Sequence, residues 1–413
     1  MSKKVVIIGG GIIGLNSAYY LLKEGHEVTV IDQFDITSGA SFVNAGYISP
    51  SHVTPLAAPG MVASGIKMMF NQASPFYLKP RLNIDLFKWA WSFNKSATAK
   101  HVKYAAPIIK DFTILSRDLF KEIKDSGIFN FQFERKGLLI SYQTPKFEDK
   151  EARLADVARE QGLEVKHINK EKLKKMEPEM KAEGAFYYLD DAHTTPDDFM
   201  SKLHQYLISE GVKFYTNEKV VDFKRNNQKI THLITDKQQL DFDELVVASG
   251  SWSPIVAKKL GIKLLVQAGK GYRINLHRKT GINYPAILAE LNTAVSPMDG
   301  FTRFGGTMEI VGINTTINKI RVQQIAKNAT VFYPNIKITN EEIEDADYGL
   351  RPVSPDGLPF VGRSKSLKNV SFATGHAMMG WSQGHATGKL ISEIISDKKT
   401  SLNIAPFSLE RFN

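Results

Sequence analysis

Arg351 stands in the stretch Gly349-Leu350-Arg351-Pro352-Val353-Ser354-Pro355-Asp356-Gly357-Leu358-Pro359, whose prolines predict a rigid loop carrying one arginine. A planar guanidinium offers a carboxylate two parallel N–H bonds, so an arginine held this way is a seat for a carboxylate-bearing substrate. An ion pair with Glu344, Asp345 or Asp347 is the structural alternative. Further on, Gly375-His376-Ala377-Met378-Met379-Gly380-Trp381-Ser382-Gln383-Gly384 leads into a helix expected over 386–395, with His376 either a site residue or a packed turn residue. At the other end of the chain, Gly9, Gly11 and Gly14 are spaced as a strand-to-helix turn whose bare N–H groups approach a pyrophosphate. Asp32, about 20 residues on, is where a carboxylate would hold a ribose hydroxyl. These residues leave NAD and FAD equally open, and a glycine-rich turn beside a solvated Asp32 is the plain structural reading.

The surrounding elements are those such a site needs. Lys4, Val5, Val6, Ile7 and Ile8 form a β-rich run suited to a buried parallel strand. Residues 12–24 place Ile13, Leu15, Ala18, Tyr19, Leu21 and Leu22 at helical intervals, and a second strand over 27–31 ends at Asp32. Residues 34–50 read as a loop dense in small residues, either a bed for a planar ring and a phosphate or an ordinary surface loop. A second strand-turn-helix follows at Val246-Val247-Ala248-Ser249-Gly250-Ser251-Trp252-Ser253, after strands over 212–216, 220–224 and 230–235.

Between these lie an amphipathic helix over 104–125, strands within 131–142, charged helices over 149–161 and 170–176, and a strand over 184–189. Thr195 is an N-cap candidate before Pro196, and Asp197 and Asp198 complement the helix start. His193 with Asp190 and Asp191 reads as capping and solvated residues; no further ligand sits at metal spacing, so no metal is expected. From 261 to 345 alternating strands predict an antiparallel sheet crossed by a helix over 318–333 with Asn318 as N-cap. Tyr272, Arg273, Arg303 and Phe304 are candidates to line a pocket there, each open also to packing or solvation.

Composition narrows the chemistry. The chain has 413 residues, 43% hydrophobic and 23% charged, as in a globular enzyme of two or more domains. It has no cysteine, which excludes disulfides, thiolate metal sites, cysteine-ligated iron–sulfur clusters and a catalytic or cofactor-bearing cysteine. The net charge of +10 is dispersed, without a basic run interleaved with aromatics, so nucleic acid is not an expected partner. No apolar run reaches the length of a membrane span, and the first strand is too short and glycine-rich for a signal peptide, so a cytoplasmic location is expected. One segment stands apart: residues 55–96 hold Met61, Val62, Ile66, Met68, Met69, Phe70, Leu86, Phe87, Trp89, Trp91 and Phe93 among Lys67, Lys79, Arg81 and Lys88. It reads as a packed inter-domain surface or as an apolar patch that docks at a membrane to meet a quinone.

Asp32, then Gly39-Ala40-Ser41, Asn44-Ala45-Gly46 and Ser49-Pro50, resemble the flavin-binding start of the D-amino-acid oxidase and glycine oxidase superfamily. The continuation Leu56-Ala57-Ala58-Pro59-Gly60, Ile66-Lys67-Met68-Met69-Phe70, Ser74-Pro75 and Lys88-Trp89-Ala90-Trp91 resembles the bacterial FAD-dependent D-amino-acid dehydrogenases of small-subunit type. Asp32 replaces the Glu that many members carry, and the tyrosine that binds substrate in glycine oxidases has no counterpart near 294–297.

The resemblance implies an α/β fold: a Rossmann-like FAD-binding domain from residues 1–55, 185–260 and 346–413, and a mixed antiparallel-sheet substrate domain from 56–184 and 261–345. It implies FAD held by Gly9, Gly11, Ile12, Ile13, Gly14, Asp32, Gln33, Ser41, Asn44, Ala45, Gly46, the backbone of Val220, Ser249, Gly250, Trp252, Gly375, Gly380, Trp381, Ser382 and Gln383. Arg351 would grip the substrate carboxylate, with His376 and Tyr272 as the other catalytic candidates; His376 is a flavin neighbour, a covalent flavin link or a packed residue. The expected reaction is oxidative deamination of D-amino acids by hydride transfer from Cα to flavin N5, with electrons passed to a quinone or another acceptor. Such an enzyme is either free in the cytoplasm or peripheral at the inner face of the plasma membrane. Competing readings are a glycine or sarcosine oxidase using oxygen, a D-proline or hydroxyproline dehydrogenase, and a flavin-binding subunit without turnover.

Overall fold

A computed structural model describes residues 1–61 and 74–412. Six strands, numbered along the chain, build the first sheet in the order Lys213–Tyr215 (β10), Glu27–Ile31 (β2), Lys4–Ile8 (β1), Glu244–Val247 (β14), Val370–Thr374 (β21) and Phe360–Arg363 (β20). All neighbours are parallel except β20 with β21. Val5 to Ile8 are buried, as a strand covered on both faces requires. Register sets Ile8 beside both Ile31 and Val247, so Gly9, Asp32 and Ala248 leave the sheet together at its carboxyl edge. Strand order diverges from β1 in both directions there, which in α/β folds opens a ligand crevice.

Among the described residues the α-helices are Ile12–Lys23 (α1), Ile84–Ser96 (α2), Ala99–Ser126 (α3), Pro145–Glu160 (α4), Lys170–Met176 (α5), Pro196–Ser209 (α6), Ser253–Lys259 (α7), Lys319–Phe332 (α8), Asn340–Glu344 (α9) and Gly380–Ile395 (α10). α10 lies directly on α1: a Cβ at Gly384 would come within 2.9 Å of Ile12, and one at Gly388 within 2.5 Å of the Asn16 backbone. Ile12 meets Gly384 and Asn16 meets Gly388, so the two helices run parallel and turn their positive ends the same way.

The second sheet has nine strands. Its order is Asp347–Val353 (β19), Gln267–Leu276 (β15), Thr302–Ile310 (β18), Thr293–Pro297 (β17), Ala286–Leu288 (β16), Leu138–Tyr142 (β6), Gly184–Tyr188 (β8) and Val165–Asn169 (β7), with Phe76–Leu78 (β4) added to β18. α8 covers one face, where Val322, Ile325 and Phe332 pack with Tyr272, Ile274 and Phe304. The described residues also hold two three-stranded sheets: Val220–Asn226 (β11), Lys229–Thr235 (β12) and Gln239–Asp241 (β13); and Tyr47–Ile48 (β3), Ala192–Thr194 (β9) and Phe133–Glu134 (β5).

The α/β class is as expected, and three local expectations are corrected. Arg351 lies in a strand rather than a loop; β19 is a sheet edge, where Pro352 costs no ladder bond. β8 and β19 pair into the second sheet and α3 joins the core of α1 and α10, so residues 185–188, 347–353 and 99–126 each side with the unit opposite to the one read from sequence. Asp191 and His193 are fully buried rather than solvated, because β9 runs between β3 and β5. Thr195 is the N-cap of α6 before Pro196, as expected; its hydroxyl binds Gln132 and accepts the Asp299 N–H, so no side-chain bond goes to the α6 N–H groups. Among the described residues no helix is long and apolar enough to cross a membrane. Val62, Ile66, Lys67, Met68, Met69 and Phe70 lie outside the described residues.

Candidate active site

The carboxyl edge of the first sheet is kept bare by glycines. A Cβ at Gly14 would fall 1.8 Å from the Gly9 carbonyl oxygen, and one at Gly9 2.5 Å from that of Ala248. The Asp32 carboxylate accepts the Gly10 N–H at 2.7 Å and the Phe34 N–H at 2.9 Å, and burial raises its pKa. Ser41 Oγ accepts the Ile12 N–H at 2.9 Å, which brings the 39–46 loop over the start of α1; Ile13 and Gly14 follow in the turn whose N–H groups no helical carbonyl reaches. Asn44 Oδ1 accepts the Gly46 N–H at 2.9 Å, and Ala45 beside it accepts from Ser296 of the second sheet at 2.6 Å. Gly46, at φ 74°, has no room for a Cβ, which would come 2.1 Å from the Thr194 carbonyl. Across the crevice, Ser249 and Gly250 form the turn after β14, and the Trp252 ring meets Phe34 edge-on at 5.6 Å. Gln33 is partly exposed beside Asp32, and Val220 opens β11 with a buried side chain.

α10 brings a second helix start to this region. Its N-cap, Met379, supplies no side-chain bond to the first N–H groups. Ser382 Oγ donates to Tyr47 O at 2.7 Å and accepts the Ser49 N–H at 3.2 Å, tying α10 to β3. Trp381 turns into the core and donates to Thr194 Oγ1 at 2.8 Å, while Gln383 reaches Thr113 at 3.5 Å. Gly375, at φ 82°, lies flush on Phe360. His376 is 1% exposed. Thr387 spends its hydroxyl proton on the Gln383 carbonyl, so His376 Nε2 donates to Thr387 Oγ1 at 2.9 Å and Nδ1 is a buried acceptor without a partner. Burial pushes its pKa down to about 3. The ring is therefore a neutral, packed turn residue and faces no open space.

Arg351 is held differently. β19 pairs with β15 so that Arg351 is opposite Gly269, and side chains at Arg351, Gly269, Gly271 and Arg273 share one face of the sheet. Its Nη1 donates to the Thr307 carbonyl at 2.9 Å. Among the described residues it has no carboxylate partner: Asp345 and Asp347 pair instead with Arg273, at 3.3 and 3.8 Å. Burial lowers its pKa to about 10. Tyr272 lies on the opposite face, beneath α8, where its hydroxyl donates to buried Glu309 and accepts the Asn318 N–H at 3.3 Å. Alternation along β15 thus separates Tyr272 from Arg351, and Phe304 is core on that same far side. Arg303, read as a pocket residue, is 2% exposed and joins the second sheet to the Phe42 and Asn44 carbonyls.

Several further residues shape the site without a local mark in the sequence. Gly271 and Thr307 flank the Arg351 guanidinium. Tyr47, from the first unit, places its hydroxyl at 294–297, where it donates to Val295 O at 2.7 Å or Ala286 O at 2.8 Å and accepts the Val295 N–H at 2.9 Å. Asp191 accepts from Ser51 N at 3.1 Å and Ser51 Oγ at 2.6 Å, and burial raises its pKa to about 7. The four-residue spacing of Gly384 and Gly388 was the one available sequence signal, for close helix packing. Among the described residues no cluster of His, Asp and Glu is arranged to hold a metal.

The family model described as FAD dependent oxidoreductase matches residues 4–394, and the chain belongs to that family. The D-amino acid dehydrogenase of Helicobacter pylori is 31% identical over 407 residues, covering 98% of this chain and 97% of that protein. That of Neisseria gonorrhoeae is 28% identical over 420 residues, covering 99% of each. Among solved structures, glycine oxidase from Geobacillus kaustophilus superposes with a TM-score of 0.79 at 21% identity over 99% of each chain. L-proline dehydrogenase from P. horikoshii does so with 0.76 at 20% identity, covering 100% of this chain and 98% of that one. At such identities the two structures speak for the fold alone.

Proposed function

We propose that this FAD-dependent oxidoreductase deaminates D-amino acids to 2-oxo acids and ammonia. Arg351 carries the reading: a half-buried guanidinium on a paired strand, with one protein acceptor and no carboxylate partner among the described residues. Its desolvation is already in place in the folded protein, so a substrate carboxylate meets a charge that water no longer satisfies in full. The D configuration and the dehydrogenase character are taken from the names of the Helicobacter and Neisseria relatives.

The residues present fit FAD. Gly9, Gly11 and Gly14 with Ile12 and Ile13 would present the α1 start to the pyrophosphate, with Ser41 beside it. Asp32 and Gln33 would meet the ribose, and Val220, Ser249, Gly250 and Trp252 the adenine side. Asn44, Ala45 and Gly46 would follow the ring system, and Gly375 with the first turn of α10, Gly380 to Gln383, its pyrimidine end, where the positive helix end favours negative charge. Bound there, FAD would supply the hydride acceptor for oxidation of a neutral α-amine to an imine, the amine giving up one proton, and water would hydrolyse the imine to the 2-oxo acid and ammonia. Arg351 orients the carboxylate and so fixes which face of Cα is presented. His376, spent on Thr387, and Tyr272, beneath α8, move no proton in this scheme.

Arg351→Ala is expected to raise KM for D-alanine roughly 100-fold with kcat little changed, as the loss of charge-assisted bonds made in both ground and transition state predicts. An unchanged KM defeats the assignment. Anaerobic mixing with D- and L-amino acids, glycine and sarcosine tests the substrate class: D-alanine should bleach the flavin, and preferential bleaching by an L-amino acid or sarcosine would replace the reading.

For the acceptor we propose a quinone met at the inner face of the plasma membrane. Leu82, Ile84, Phe87 and Trp91 are 102%, 71%, 61% and 65% exposed, while Leu86 and Trp89 turn inward from α2. Lys88 and Lys95 stand exposed among them, a pattern suited to an anionic bilayer surface. Failure to float with anionic liposomes, with turnover confined to soluble acceptors, would rule this out.

A further inference from the structure

We propose that Gly271 is a positioning residue for Arg351, working against the carbonyl of a bulge at Thr307 to aim the guanidinium before substrate arrives. The inference rests on the reading of Arg351 as the carboxylate seat. β15 and β18 pair Lys270 with Glu309 and Tyr272 with Gly306, so Thr307 and Met308 together face the single residue Gly271. That is a β-bulge, a device that re-aims the groups it carries. Thr307 adopts φ 63°, a conformation that β-branched residues disfavour strongly. Its own hydroxyl draws nothing from this, because Oγ1 is buried without a partner. What the conformation secures is the carbonyl, which accepts Arg351 Nη1 at 2.9 Å.

Gly271 forms the other wall. A Cβ there would fall 2.2, 2.4 and 2.5 Å from Arg351 Nη1, Nη2 and Cζ, so the guanidinium lies against the bare backbone of β15. A glycine inside a strand weakens it, so two unfavourable choices, the strained Thr307 and the empty Gly271, meet at one side chain. Together they fix the plane of the guanidinium and one of its nitrogens. Among the described residues Nε and Nη2 of Arg351 have no hydrogen-bond partner and are not sealed from solvent, so they remain free to donate. Aiming the group in advance lowers the ordering cost when a carboxylate binds.

The test uses the FAD-loaded enzyme, benzoate as a carboxylate that cannot be oxidised, and the flavin absorbance shift as the binding signal. Gly271→Ala is expected to weaken benzoate binding about tenfold or more and to raise KM for D-alanine in parallel, with kcat within about threefold. In an Arg351→Ala background the same change should alter benzoate binding less than about twofold, because the methyl then occupies space the guanidinium has left. Unchanged benzoate affinity in Gly271→Ala, or full additivity with Arg351→Ala, overturns the proposal. If Gly271→Ala alone yields no folded holoenzyme, the double variant decides: a folded double variant supports the clash with Arg351, and an unfolded one shows Gly271 is needed for another reason. Should Arg351→Ala itself bind benzoate as well as the parent, the carboxylate reading fails; should only Gly271→Ala be silent, that reading stands and the positioning role falls.

Discussion

Arg303 and Arg351 stand in the same sheet, and burial brings both guanidiniums to a pKa of about 10. They differ in how their donors are spent. Arg303 Nε donates to Asn275 at 3.0 Å, Nη1 to the Phe42 and Asn44 carbonyls at 2.9 and 2.6 Å, and Nη2 lies 3.5 Å from Asp197. Among the described residues Arg351 makes a single hydrogen bond, to Thr307. Burial and charge alone do not mark a ligand site; a buried cation whose donors remain unspent and open does. Arg303 instead clamps the 42–44 loop onto the second sheet, and through that loop steadies the bed proposed for FAD.

The largest effect should come from breaking the clamp. Arg303→Ala leaves Asn275 and two loop carbonyls without this partner, at about 1–3 kcal/mol for each buried acceptor left unpaired. Thermal unfolding should come at a clearly lower temperature and FAD should dissociate more readily, while the molecules that keep FAD retain their KM for D-alanine. Arg351→Ala should do the reverse, keeping its melting temperature and losing substrate affinity. If both variants showed the same pattern, the distinction between spent and unspent donors would be empty.

The two arginines also mark what could be read from the chain. The glycines at Gly9 to Gly14 and the carboxylate at Asp32 were legible because a strand, a turn and a helix follow one another locally and the backbone itself makes the site. Arg351 was legible as an arginine among prolines, but its surroundings were not. They depend on the register of β15 against β18 and β19, which joins residues far apart in sequence. Tyr272, a pocket candidate open also to packing, could not be resolved for the same reason: the facing of its strand is not written locally, and alternation sends it beneath α8. His193 and Asp191 looked like solvated loop residues because nothing local announces that a three-residue strand will be buried between two others.

Asp191 is fully buried, is spent on Ser51 and has a pKa raised from 3.8 to about 7. An acid whose folded pKa lies above its unfolded value binds more protons in the folded state, so stability falls as pH climbs from about 4 to about 7. Asp191→Asn keeps an acceptor for the Ser51 N–H and removes the titration. Chemical unfolding at pH 5 and pH 8 should show a smaller drop for the variant, by on the order of 2 kcal/mol. Glu177, also raised to about 7 by burial, has the same sign and will leave part of the slope in place. An undiminished slope would mean that Asp191 is ionised at no cost.

The smallest effect belongs to Arg273, which refines the criterion. It shares the Arg351 face of β15, its guanidinium lies 3.3 Å from exposed Asp345 and 3.8 Å from half-buried Asp347, and among the described residues its buried Nε has no partner. An unspent donor is therefore present here as well, but it is sealed from any ligand, whereas Arg351 keeps its free donors open. Arg273→Ala should then cost less than about 1 kcal/mol, as solvent-screened pairs do, and leave both KM for D-alanine and benzoate affinity unchanged. A tenfold rise in KM would place Arg273 in the substrate's reach and show that sealing at Nε is no bar to binding through the rest of the fork; an unchanged KM leaves openness, and not the count of free donors, as what separates Arg351 from its neighbour two positions along from Gly271.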